Sequence, residues 1–130
     1  MKAYLIDPIA RTVSQINLDP AHGLRDYYAA LGCELVECVA DAIPEHDLWI
    51  DEEGLINGNP HGHIFAPATY QQLFVGRAIV TGGADDEGDT LPATCTAEDI
   101  ARRVFAVTEF LPGGVAVVAP LEIVTTDKAA

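Results

Sequence analysis

Positive charge is scarce in this chain. Its 130 residues include seven Lys and Arg against twenty Asp and Glu, a formal net charge of −13. No lysine or arginine stands between Arg25 and Arg77. Gripping a nucleic-acid backbone takes clustered cations, because counterion release supplies most of that affinity. The scattered basic residues here exclude direct DNA or RNA binding and adhesion to an anionic membrane. Serine is almost missing too. Ser14 is the one serine, and no Gly-x-Ser-x-Gly surrounds it. There is no G-x-G-x-x-G after a strand and no Walker sequence, which excludes the familiar nucleotide sites. The three cysteines, 33, 38 and 95, are odd in number and lack C-x-x-C spacing. They read as buried thiols in a reducing cytoplasm rather than a disulfide framework. No apolar run approaches the ~20 residues that span a bilayer. Asp7 interrupts any leader-like apolar opening.

What is present is ordinary for one soluble domain: 49% apolar residues and 21% charged. A single domain over 1–130 is expected, with 125–130 a short polar tail. Residues 2–7 read as a strand closed by Pro8, and 11–16 as the second arm of a hairpin. Asp19-Pro20 opens a helix whose apolar face is Leu24, Tyr27, Tyr28 and Leu31, with Gly32 at its C-cap. Strands are expected at 33–39, 47–51 and 76–82, with a turn at 41–44 between the first two. Residues 84–91 read as a polar loop. Thr96 caps a second helix, with Glu98 and Asp99 favoured by the helix dipole. Strands follow at 105–110, 115–118 and 121–124, the last two split by Pro120. Strands in sequential runs predict an α+β fold, a largely antiparallel sheet with about two helices packed on one face.

The stretch from Asp51 to His63 is rich in chemistry-bearing residues. Asp51, Glu52 and Glu53 crowd a turn; Asn57 and Asn59 follow, then His61 and His63. In an extended segment the two histidines share a side. With a carboxylate, and with His46 or Asp47 completing the set, they are candidate ligands for a divalent metal such as zinc. No other cofactor is implied. Adjacent carboxylates on an exposed turn have no source for the unequal environments that acid–base catalysis needs. Asp85-Asp86-Glu87-Gly88-Asp89 lacks the spacing of an EF-hand loop. Nothing in the sequence requires an enzyme.

Two stretches carry a family resemblance: Met1-Lys2-Ala3-Tyr4-Leu5-Ile6-Asp7-Pro8, and Asp47-Leu48-Trp49-Ile50-Asp51-Glu52-Glu53-Gly54-Leu55 with Asn57, Asn59 and Pro60 after it. Gly32-Cys33 before a strand and Gly76-Arg77-Ala78-Ile79-Val80 fit the same pattern. Over residues 1 to about 90 the chain resembles a family of small uncharacterised proteins of phages, plasmids and bacterial mobile elements, a domain of unknown function. The resemblance implies an intracellular accessory protein and lends no catalytic residue. Together with the charge, it leads to a non-enzymatic module that binds a basic protein partner. One version is an inhibitor occupying the groove of a nucleic-acid-binding host protein. Its expected surface is an acidic face formed by Trp49, Asp51, Glu52, Glu53, Asn57, Asn59, Asp85 and Asp86. The alternatives are a metal- or small-molecule-binding, hydrolytic domain built on the 51–63 loop, and a homo-oligomer paired through edge strands.

Overall fold

The computed structural model describes residues 1–54, 62–67 and 73–125. β1 (Lys2–Asp7) and β2 (Thr12–Asn17) form the opening hairpin. Asp7 builds its turn, Oδ1 accepting from the backbone N–H groups of Ile9 and Ala10 at 3.0 and 3.1 Å. The expected helix after Asp19 arrives in two pieces. Asp19 caps a 3-10 turn, Pro20–His22, by accepting from Ala21 N–H. Gly23, at φ 61° and ψ −124°, takes the chain out of helical geometry. α1 (Arg25–Leu31) then starts afresh and ends on Gly32 in the left-handed region.

β3 (Val36–Ile43) runs through the segment where a turn is expected. Asp41, at φ 58°, marks an irregularity within the strand, and the reversal falls at Pro44 and Glu45. β4 (His46–Asp51), β5 (His63–Phe65), β6 (Leu73–Val75) and the fully buried β7 (Ala78–Gly82) follow. α2 (Ala97–Ala101) carries a capping box between Thr96 and Asp99. β8 (Phe105–Leu111), β9 (Val115–Pro120) and β10 (Glu122–Val124) complete the described chain.

The strands make two sheets, in the orders β10-β2-β1-β7-β4-β3 and β6-β5-β8-β9. Among the described strands every pairing is antiparallel except β10 on β2. Alternation along the strands divides the core in two. Tyr4, Ile6, Leu48, Ile50, Ala78 and Val80 face one way and meet Ile64, Phe74 and Ala106 of the smaller sheet. Ala3 and Ile79 face the other way and meet Leu18, Tyr27 and Leu31. Fully burying a side chain such as Leu31 or Ile79 contributes roughly 1.5–3 kcal/mol. Ile100 of α2 belongs to the first cluster and the α1 residues to the second. The two α-helices of the described residues therefore lie on opposite faces of the large sheet, not on one. One-sided packing fails because each helix has one apolar stripe, and both faces of the buried central strands need cover.

Candidate functional site

β4 turns Trp49 toward the α1 side, away from Leu48 and Ile50. The indole Nε1–H donates to Thr81 Oγ1 at 2.9 Å, and the buried Thr81 hydroxyl donates to Gly82 O. Tyr27 of α1 lies against the indole with ring centroids 4.9 Å apart and planes tilted by 56°. Burial pushes the Tyr27 hydroxyl above its ordinary value, and a hydrogen bond with Thr90 works against that rise. Over this aromatic pair opens a cleft of about 500 Å³, walled by the Asp19–Pro20 turn, Leu24 and the segment Gly88–Thr90. That volume suits a small ligand or an inserted side chain.

The acidic loop supplies one wall. Asp85 Oδ1 accepts from the backbone N–H groups of Glu87 and Asp89, both at 2.9 Å. Asp85 N–H donates to Asp89 O at 2.8 Å, closing the turn. The carboxylates of Asp85, Glu87 and Asp89 converge to within 4.8 Å of one another. Among the described residues, no cation pairs with any acid of 85–89. Asp85 Oδ1 is engaged in the turn; Asp89 belongs both to the acidic cluster and to the cleft lining.

The structure separates residues that the sequence suggested as one face. Strand β4 pairs His46 with Gly82 and Trp49 with Ile79. Asp51 to Glu53 therefore leave β4 at the end opposite the one from which β7 runs into the 85–89 loop. Six residues of strand, roughly 17 Å, lie between those ends. Asp51 itself is buried, its Oδ1 accepting from Glu53 N–H at 2.9 Å. Glu52 is exposed, and its N–H donates to Leu35 O at 3.0 Å. Asn57, Asn59 and His61 lie outside the described residues. Asp86 is exposed on the 85–89 loop. The Trp49 cleft gathers Trp49 and that loop but not the 51–53 turn.

The metal candidates divide as well. His63 is half-buried on β5, its ring edge-on to Phe110 at 5.1 Å. His46 is buried, with Nδ1 2.9 Å from Pro44 O. Its Nε2 accepts from the backbone N–H groups of Thr94 and Cys95, both at 3.1 Å. Two donors on Nε2 place the proton on Nδ1 and leave no lone pair for a metal. Asp47 Oδ1 is likewise engaged, accepting from Asp41 N–H at 3.0 Å.

The thiols are not activated. Only Cys95 is buried as expected; Cys33 is half-buried and Cys38 exposed. Partial desolvation of its sulfur, and then the Asp47 carboxylate, push Cys38 up to about 12. Burial also raises Cys33 and Cys95. All three stay protonated at neutral pH, when nucleophilic attack needs thiolate.

Tyr27, Asp19 and Thr90 are site residues that the sequence did not single out. Tyr27 was legible only as part of the apolar face of a helix. Nothing local ties it to an indole 22 positions later on a different strand. No helix among the described residues is long and apolar enough to cross a membrane.

No curated protein and no solved structure matches this chain. A family model does match, over residues 1–104, which run from β1 through α2 to the buried Val104. The chain belongs to the family described as a domain of unknown function, DUF3846.

Proposed function

We propose that the protein is a non-enzymatic module that binds a basic protein partner at the Trp49 cleft and the 85–89 loop beside it. The observation that carries this reading is the contact between an aromatic-floored cleft and a group of carboxylates with no cationic partner among the described residues. Surplus negative charge speeds and orients the approach of a basic surface. A desolvated aromatic floor supplies the anchoring contact that charge alone does not. The raised thiols and the commitment of His46 support a binding role over a catalytic one.

The setting we propose is cytoplasmic, as an accessory protein of a phage or mobile element. The sequence resemblance and the net charge of −13 support it. Occupying the DNA-facing groove of a host protein is one form this binding takes, since such grooves are basic.

The test compares the wild-type chain with the triple variant Asp86→Asn, Glu87→Gln, Asp89→Asn, which leaves the turn-forming Asp85 in place. Both are immobilised and exposed to host lysate at ~50 mM and ~500 mM salt. A basic protein is expected on the wild type at low salt, absent from the variant and released at high salt. Equal retention by both chains, or indifference to salt, overturns the reading.

A further inference from the structure

We infer that the Trp49 cleft is an arginine pocket, taking the side chain of one arginine from an extended basic segment of the partner. The inference rests on the protein-binding reading above and names the group that enters.

Three observations define the chemistry. First, the floor is apolar and aromatic. Trp49 and Tyr27 form it, with Met1, Leu18 and Leu24 beside them; the Met1 ammonium is held by Leu18 O at 2.7 Å. Such a surface accepts the methylene stem of a long cationic side chain. Second, the indole is held in place. Its N–H is tied to Thr81, whose own hydroxyl is tied to Gly82 O, so the ring cannot turn its edge to an incoming group without breaking that chain. A fixed indole face attracts a guanidinium through its quadrupole, and a planar guanidinium stacks on it. Third, two acidic residues line the cleft: Asp19, which caps the 3-10 turn, and Asp89, which closes the 85–89 loop. Asp19 Oδ1 already accepts from Ala21 N–H, and its Oδ2 is 3.5 Å from His22 Nε2. Asp89 therefore receives the fork of guanidinium donors, while Asp19 adds negative field across the cleft.

Arginine suits these features better than lysine. Its guanidinium is weakly hydrated, planar and bidentate, matching an indole face beside a carboxylate. An ammonium is strongly hydrated and gains less from leaving water.

The chain contains one tryptophan, so its emission, excited selectively over that of the four tyrosines, reports this cleft. The test titrates the full chain with three peptides, acetyl-Gly-Arg-Gly-amide and its lysine and citrulline counterparts, following Trp49 fluorescence. Citrulline has the shape of arginine without the charge. A saturable change with the arginine peptide is expected. Affinity should be at least about tenfold weaker for citrulline and a few fold weaker for lysine. Asp89→Asn should weaken arginine binding by about threefold and leave citrulline unchanged. Trp49→Phe, followed by calorimetry, covers the aromatic contribution by a second route. Equal binding of arginine and citrulline, or no saturable change, overturns the arginine pocket. If a basic partner is still captured through the 86, 87 and 89 carboxylates in that case, the docking reading stands and only the pocket falls.

Discussion

Nε2 of His46 lies 3.1 Å from the backbone nitrogen of Cys95, a residue 49 positions further along the chain. The same nitrogen accepts from Thr94 N–H. From the other side, Tyr4 OH donates to Cys95 O at 3.1 Å, and Ala93 N–H donates to Lys2 O at 2.9 Å. The irregular stretch before α2 is thereby fastened to the first and fourth strands without belonging to either sheet. Its backbone groups find partners in the side chains of His46 and Tyr4 and in the backbone of Lys2, as buried irregular segments must.

Replacing His46 with alanine should be costly. Two backbone donors lose their acceptor, and a cavity opens beneath Pro44. The expected loss is about 3 kcal/mol. Urea unfolding should show a lower midpoint at unchanged slope. A loss below ~0.5 kcal/mol, the scale of ordinary surface changes, would mean that this histidine does not hold the segment.

Gly82 should resist any side chain. A Cβ there would clash with Pro92 O and stand 2.9 Å from Leu91 O. Both obstacles are backbone, so Gly82→Ala should destabilise by about 1–3 kcal/mol through overpacking. Gly88 makes the control. It has open space around it and a φ of +86°, so Gly88→Ala meets only backbone strain, on the order of 1 kcal/mol. Thermal unfolding of the two variants should rank them in that order.

Thr81→Val removes the acceptor of the Trp49 indole while keeping the volume of the side chain. A cost of about 1–2 kcal/mol is expected. The indole proton should also exchange with solvent faster, read by NMR. Unchanged exchange would show that the bond to Thr81 does not fix the ring.

The pair His22–Asp26 sets a pH window on the turn before α1. The hydrogen bond to Asp26 raises His22 above its usual 6.5. Its contribution is complete below 6.5 and fades as pH climbs through the raised value. Asp26 is lowered from 3.8, first by the N–H of Asp19 and then by His22. Its contribution is complete above 3.8 and fades as pH drops through the lowered value. The charged pair is therefore whole between about pH 4 and 6.5. Asp26→Asn should move the His22 titration, followed through its ring protons, down toward 6.5. An unmoved titration would rule out this coupling.

Much of the local structure was written in short-range signals. The Asp7 turn, the Gly32 cap and the Thr96 cap each depend on one residue with a strong conformational preference, and each falls where the structure has it. Pro120, expected to split two strands, is instead the last residue of β9, opposite Phe105, and the break falls at Leu121. The opposed faces of Leu48 and Trp49 follow from strand alternation. Other features depend on distant partners. Asp41 looks like a turn residue, yet Asp47 Oδ1 accepts from its N–H, and the strand continues past it. Gly23 sits inside a helical apolar pattern that Leu24 and Tyr27 continue, so the pattern hides the break. The division into two sheets depends on which strands find each other, and alternation within one strand is silent on that. For the site, Trp49 and the acidic loop were visible as residue types. Their meeting with Tyr27, and the placement of the 51–53 turn at the far end of β4, are products of tertiary register.

Strand β10 lies parallel to β2, with Ile123 opposite Val13, although 110 positions separate them. Until that late segment arrives, β2 is an open border with unsatisfied hydrogen-bonding groups. Contacts of such sequence separation form slowly, because a long loop must close first. A newly made chain thus passes through an interval in which its first hairpin can recruit a stray strand from a neighbour. The closing strand acts as a seal, and the speed of its docking sets how long the nascent protein is open to aggregation.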